Sequence, residues 1–256
     1  MVSSGSYDSL SFVAMEKAVS LSIFFPFWNE EKNIEHVVRQ AIPIAEKIAQ
    51  NWEIIMIDDG SSDDTLKIAK KLISLSPNLR VISHAPNRGY GAAIKEGLMS
   101  AKYDLVVFND GDGQFDFAQV TRFLEKIETS DIVIGFRRKR IDHPFRHFLM
   151  NLLKIWDFVF FRFRFRDIDC GFKMFKREAV EKISPLISEG AMITTEILAR
   201  ARRAKLKITE VEVTHYPRRL GNQSGGNLRV VLRAIFESLL LWIDLNLRKQ
   251  GDYGRA

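Results

Sequence analysis

Short apolar runs alternate with amphipathic stretches through the first half of the chain. VSLSIFF (19–25), EIIMI (53–57), LRVIS (79–83), DLVVF (104–108) and DIVIG (131–135) are rich in β-branched and aromatic residues and almost free of polar interruptions. That pattern suits parallel strands covered on both faces. Between them the apolar positions recur at helical spacing, predicting helices over about 32–50, 63–75, 90–101 and 117–128, the second capped by Ser62 and Asp63. Repeated strand–helix–strand units imply a parallel sheet with right-handed crossovers. Beyond residue 136 the alternation gives way to a basic and aromatic stretch and the segment DIDCGFKMFKRE. A helix is then expected near 192–203, a strand over 207–213, a loop HYPRRLGNQSGG and a long apolar helix over about 227–248. No internal repeat or low-complexity linker interrupts this order.

The polar clusters fall at particular places in the pattern. PFWNEE follows the first strand, DDGSSDD the second and NDGDGQFD the fourth. Ligands of an open α/β sheet bind beyond the carboxyl ends of its strands, so these clusters should gather on one edge. In VVFNDGDGQFD (106–116), Asp110, Asp112 and Asp116 crowd together, which needs a cation, a basic cluster or water between them. An EF-hand beginning at Asp110 would require a glutamate where Thr121 stands. There is no P-loop and no Gly-x-Ser-x-Gly elbow, and GYGAAI (89–94) lacks the third glycine of a dinucleotide fingerprint. The five histidines show no zinc-protease spacing and read mostly as surface residues. The remaining reading is a hard-cation site in which Asp110, Asp112 and the amide of Gln114 offer oxygens to Mg²⁺ or Mn²⁺. A solvated polar turn is the alternative.

Charge changes the picture more than composition does. The 256 residues, 46% apolar and 27% charged, fit one sizeable domain with an ordinary core. The one cysteine, Cys170, excludes an internal disulfide and suits a reducing compartment. Residues 1–18 lack the basic-then-apolar order of a signal peptide and read as a flexible leader. Nine Lys or Arg against two Asp fall between Arg137 and Arg166, a local excess of +7 in a chain whose total is +6. An anionic partner is therefore expected at that place, and no nucleic acid. FLMNLLKIWDFVFF (148–161) followed by RFRFR is too short and too charged to span a bilayer. It reads as a helix lying in the headgroup plane of an anionic membrane, with a core or dimer-contact helix as the alternative. The C-terminal helix has only a narrow polar stripe of Arg229, Arg233, Glu237 and Asp244, which suggests packing or homo-oligomerisation.

Taken in order, SIFFPFWNEEKNI, IIMIDDGSSDDT, NRGYGAAIKEGL, VVFNDGDGQFD, IGFR and RDIDCGFKMFKRE resemble the successive motifs of family-2 inverting glycosyltransferases. Among these the chain is most similar to the polyprenyl-phosphate sugar synthases, the dolichyl-phosphate mannose and glucose enzymes included. The resemblance covers roughly residues 19 to 224. It implies a GT-A fold, an α/β Rossmann-like and mostly parallel sheet flanked by helices, over 19–225. An interface segment at 137–166 and a C-terminal helix and tail at 226–256 complete the expected organisation. It also implies a nucleotide-sugar donor (GDP-mannose or UDP-glucose), Mg²⁺ or Mn²⁺, a polyprenyl phosphate acceptor and a peripheral place on the cytoplasmic side of a membrane.

By position, the resemblance puts Pro26, Asn29, Glu30, Asp58, Asp59, Arg88, Gly89, Asp110, Gly111 and Arg218 at the nucleotide sugar, and Asp110, Asp112 and Gln114 at the metal. Arg137, Cys170, Gly171, Phe172, Glu196 and Ser224 fall beside the acceptor, with Asp110, Asp112, Arg137 and Asp167 as the catalytic set. The late loop RRLGNQSGG departs from the family: two residues separate Gly221 from Ser224 and no lysine follows, which leaves open which late residues grip phosphate. Two rivals stand beside this reading. One is the same fold acting on a hydroxyl acceptor, with Glu196, Asp167 or Asp169 as general base. The other is a nucleotide-binding subunit without turnover.

Overall fold

The computed structural model describes residues 19–138, 160–161, 164–218, 220–221 and 228–247. The expected leader (1–18), most of the apolar run at 148–161, and Ser224 lie outside the described residues. Seven strands form one sheet: β1 Ser20–Phe27, β2 Asn51–Asp58, β3 Leu79–Ser83, β4 Leu105–Asn109, β5 Ile132–Arg137, β6 Phe172–Lys176 and β7 Ile208–Val213. Their order across the sheet is β3-β2-β1-β4-β6-β5-β7. The helices are α1 Ile34–Ile48, α2 Thr65–Leu72, α3 Tyr90–Ser100, α4 Val120–Ile127, α5 Arg177–Ile183, α6 Ile193–Arg203 and α7 Leu228–Leu247.

Strand alternation explains why β1 is apolar from Ile23 to Phe27. Leu21, Ile23, Phe25 and Phe27 face α1 and α4, where Val38, Ala41, Phe123 and Leu124 meet them. Phe24 points the other way, into a second core with Ile55, Ile57, Phe108, Ile94 of α3 and Ile197 of α6. Successive side chains leave opposite faces of a strand, so a sheet covered by helices on both sides is apolar at most positions, and the buried exceptions Ser22 and Glu53 satisfy each other at 2.6 Å.

Most of the expected elements are present within a residue or two. Two departures matter. The second helix begins at Thr65, later than the proposed cap, although Asp63 accepts hydrogen bonds from the Thr65 backbone N–H (3.0 Å) and hydroxyl (2.5 Å). The other departure is β6. It lies antiparallel between β4 and β5, where the sequence pattern gives no strand. FKMFK carries a lysine at its second position, and that Lys173 is fully buried in the sheet. Its ammonium donates to the carbonyl oxygens of Ile168 (3.0 Å) and Cys170, which satisfies a charge that would otherwise be very costly there. Because β6 runs backwards, its beginning lies on the edge where the parallel strands end: Asn109 pairs with Phe172, and the Asp110 N–H donates to Gly171 O at 2.9 Å.

Candidate active site

That edge collects the polar clusters. At the end of β1, Asn29 has a left-handed backbone (φ 55°), which asparagine tolerates better than most residues. It joins two loops: its N–H donates to Ser61 Oγ (2.9 Å), and its side-chain oxygen accepts from the Ser62 N–H (2.8 Å). Glu30 is buried, accepts from Asn33 Nδ2 (2.6 Å) and pairs with Arg218. Burial raises its carboxyl above the ordinary value despite these two partners. Pro26 and Gly111 pack together, since a side chain on Gly111 would collide with the Phe27 ring and Pro26 O.

At the end of β2, Asp58 accepts from Ser83 Oγ (2.9 Å) and the Ser61 N–H (3.3 Å). Asp59 organises the next loop. It accepts from the backbone N–H groups of Arg88 (3.0 Å) and Gly89 (2.8 Å) and from Asn87 Nδ2 (2.8 Å), and it lies 2.7 Å from His84 Nδ1. These contacts give Asp59 a loop-building task. His84 is buried, an exception to the surface positions expected for most of the histidines. Arg88 reaches across to Glu189 (3.1 Å). Gly89, at φ 114°, makes the turn into α3.

At the end of β4 stand Asp110 and Asp112. Asp110 is raised to about 6, chiefly by burial and next by the charge of Asp112. Asp112 is raised as well, again mainly by burial, although its Oδ1 accepts from the Gln114 N–H (3.0 Å). Two crowded, half-desolvated carboxylates call for a cation. Among the described residues no group of three or more His, Cys, Asp or Glu could hold one as a cage. The fit is instead to Mg²⁺ or Mn²⁺, which takes one or two carboxylates and fills its shell with water and substrate phosphates. Gln114 is buried, and its Nε2 donates to Tyr216 O (2.9 Å), tying the late loop to the acidic turn. Arg218 of that loop places Nη1 3.6 Å from Asp112 Oδ2.

Tyr90 was not among the residues singled out from the sequence. Its hydroxyl donates to Asp110 Oδ1 at 2.8 Å. Although the residue keeps 36% of its surface, desolvation of the phenol and the Asp110 charge raise it well above its usual range.

Beyond Asp110, Arg137 at the end of β5 makes a forked pair with Asp167: Nε to Oδ2 at 2.6 Å and Nη2 to Oδ1 at 2.8 Å. The pair raises Arg137 further above its ordinary value. Cys170 is buried and its thiol pushed up to about 12 by burial. Phe172 lies wholly in the core, stacked 4.3 Å from Phe123. Both lie in the core beneath this edge. Glu196, expected beside the acceptor, is engaged within the protein. It is fully buried, accepts from the N–H groups of Ile187 (2.8 Å) and Ser188 (2.7 Å), and pairs with Arg200 at 2.7 Å.

Gly171 is where close approach excludes any other residue. A Cβ there would lie 1.8 Å from Asp110 Oδ2. Gly171→Ala must therefore displace the carboxylate, and a misplacement of about 1 Å typically costs about 10²-fold in rate. We expect a loss of that size with the fold retained, measured as turnover beside a thermal melt. Turnover within threefold of the parent would refute the packing argument.

A model of glycosyl transferase family 2 matches residues 22–184. The chain is 32% identical over 225 residues to the dolichyl-phosphate beta-glucosyltransferase of Saccharomyces cerevisiae, covering 78% of this chain and 67% of that protein. It is 34% identical over 215 residues to the enzyme of the same name from Dictyostelium discoideum, covering 76% and 66%. The chain thus spans about two thirds of the length of these relatives. Among solved structures, mannosyl-3-phosphoglycerate synthase from Rubrobacter xylanophilus superposes with a TM-score of 0.68 at 17% identity, covering 91% of this chain and 78% of that one. Glucosyl-3-phosphoglycerate synthase from Mycobacterium tuberculosis, in complex with Mn²⁺, UDP and glucosyl-3-phosphoglycerate, gives 0.65 at 21%, covering 88% and 80%. At such identities the likeness is one of fold.

Proposed function

The chain belongs to glycosyl transferase family 2, and from that premise we propose that it moves glucose from UDP-glucose to a polyprenyl phosphate, inverting the anomeric carbon. One observation carries the reading: the acidic pair Asp110 and Asp112 and the forked pair Arg137–Asp167 meet at one sheet edge, on either side of Gly171. The first suits a cation on a diphosphate; in the second Asp167 orients the Arg137 guanidinium, which we read as the contact for an acceptor phosphate. Asp110 and Asp112 would hold Mg²⁺ or Mn²⁺, which neutralises the diphosphate as a leaving group.

An acceptor oxygen attacks the anomeric carbon as its bond to the diphosphate breaks, and the electron pair leaves with the nucleotide. A phosphate monoester has a second pKa of about 6 and is largely a dianion near neutrality, so it attacks without a base. A hydroxyl acceptor would need one. Two of the candidate bases are occupied, Glu196 by Arg200 and Asp167 by Arg137. This favours the phosphate. The dolichyl-phosphate relatives support the same acceptor class and favour glucose over mannose.

The place of work in this reading is a membrane surface. No helix among the described residues is long and apolar enough to cross a membrane. Glu237, Ser238 and Leu241 of α7 are buried, while Phe236, Leu239, Leu240, Trp242 and Ile243 on its outer side are 41–61% exposed. Trp242 meets Phe160 near the end of the apolar run 148–161, and Arg164 and Arg166 are exposed. An apolar face beside arginines suits an anionic headgroup layer.

The test is one assay. Purified protein receives labelled UDP-glucose or GDP-mannose with polyprenyl phosphate in anionic vesicles, with Mg²⁺, Mn²⁺ or chelator. Glucose label in the lipid, lost with chelator, is the expected result. Label passing only to a polyol or another hydroxyl acceptor would overturn it.

A further inference from the structure

We propose that Tyr90 is a positioning residue for the cation site, its phenol fixing the Asp110 carboxylate from the nucleotide side of the cleft. The inference rests on the reading of Asp110 as a metal-binding carboxylate. Asp110 is held on two flanks: Oδ1 accepts the Tyr90 O–H (2.8 Å), and Oδ2 lies against Gly171. The carboxylate has little freedom to turn while both neighbours stay. Without the phenol, one flank opens, and the charge of Asp112 beside it favours rotation away.

Tyr90 is itself anchored through its backbone neighbours. The Gly89 N–H donates to Asp59 Oδ2, and the Gly91 N–H to Glu189 O, both at 2.8 Å. The Ala92 N–H also donates to Glu189 O (3.2 Å). The N–H groups of Gly91 and Ala92, in the first turn of α3, are thus engaged by a protein carbonyl, and what this end of the helix presents to the cleft is the tyrosine hydroxyl. The loop that delivers it is built on Asp59 at the end of β2, while its target sits at the end of β4. One side chain therefore joins the loop expected to meet the nucleotide with the carboxylate expected to meet the metal. Packing does not require a tyrosine here, since the residue keeps 36% of its surface. Partners that orient a ligating carboxylate typically contribute 10- to 100-fold to metal affinity.

The experiment measures Mn²⁺ binding directly, by the electron paramagnetic resonance of free Mn²⁺, with and without UDP, for the parent protein and Tyr90→Phe. Phenylalanine keeps the ring and removes only the hydroxyl. Mn²⁺ is expected to bind about tenfold more weakly to Tyr90→Phe, with an unchanged thermal melt. In the transfer assay the Mn²⁺ concentration for half-maximal rate should rise by a similar factor, while kcat at saturating Mn²⁺ recovers to within threefold. A purely structural role would lower the melt or kcat and leave the Mn²⁺ requirement unmoved. Mn²⁺ affinity within twofold of the parent, or tighter, overturns the role of Tyr90 alone. A parent protein that binds no Mn²⁺ in either condition removes the metal reading of Asp110, and this inference with it.

Discussion

Asp112→Asn is expected to lower sugar transfer by about 10³-fold or more and, at neutral pH, to make the metal-free protein more stable. The first effect follows from charge: a cation on the diphosphate contributes several kcal/mol, and about 1.4 kcal/mol is a factor of ten. The second follows from the raised carboxyls. Asp110 stands at about 6 in the fold against an ordinary value of about 3.9 in an unfolded chain. The folded state thus binds the proton more tightly. Its contribution to stability is full below the unfolded value and is lost as pH rises from about 4 through about 6. Above that range Asp110 is charged, and after burial the charge of Asp112 is what opposes it. Removing the Asp112 charge relieves Asp110 and flattens that decline, less whatever the 3.6 Å contact with Arg218 supplied. Melting temperatures in chelator at pH 4.5, 6 and 7.5 measure it. Near-normal turnover in the variant, or a parent enzyme indifferent to chelator, would sink the metal reading.

Arg137→Ala should cost about 10³-fold in transfer, mostly as poorer use of the polyprenyl phosphate, and also destabilise the protein. The side chains of Arg137 and Asp167 are 9% and 6% exposed. Truncating one partner of such a pair leaves a buried charge unmatched, typically a loss of about 3–5 kcal/mol. Stability and chemistry can be separated by a second change. Arg137→Ala combined with Asp167→Asn should regain much of the stability, because no orphan carboxylate remains, and regain little of the transfer. Glu196→Gln sets the contrast. It weakens a buried pair with Arg200, whose guanidinium also reaches Asp244 of α7 at 2.7 Å. We expect a loss of about 2 kcal/mol in stability and nearly normal turnover per folded molecule. Denaturant titrations and steady-state kinetics against acceptor concentration report both quantities. If Glu196→Gln kills turnover in folded protein while Arg137→Ala stays active, the acceptor is a hydroxyl and Glu196 its base.

The chain's own order of residues already determined the sheet-and-helix alternation, the two buried faces and the edge on which the polar clusters would gather. Periodicity carries that much, because a strand covered on both sides is apolar at nearly every position and a helix covered on one side at every third or fourth. The crowding of the DGDG aspartates at a strand end was legible too, whereas the approach of Arg218 to Asp112 was not. The strand Phe172–Lys176 was not legible, since Lys173 breaks its apolar pattern and only the carbonyls of Ile168 and Cys170 explain how that lysine can be buried. Nor were the partners. Arg137 and Asp167 lie 30 residues apart, Tyr90 and Asp110 20, and Arg200 and Asp244 44. In a one-dimensional string a carboxylate has the same letter whether it ligates a metal, builds a loop as Asp59 does or braces a helix as Glu196 does. Burial and the direction of its neighbours separate these roles, and both come into being only when distant elements pack together.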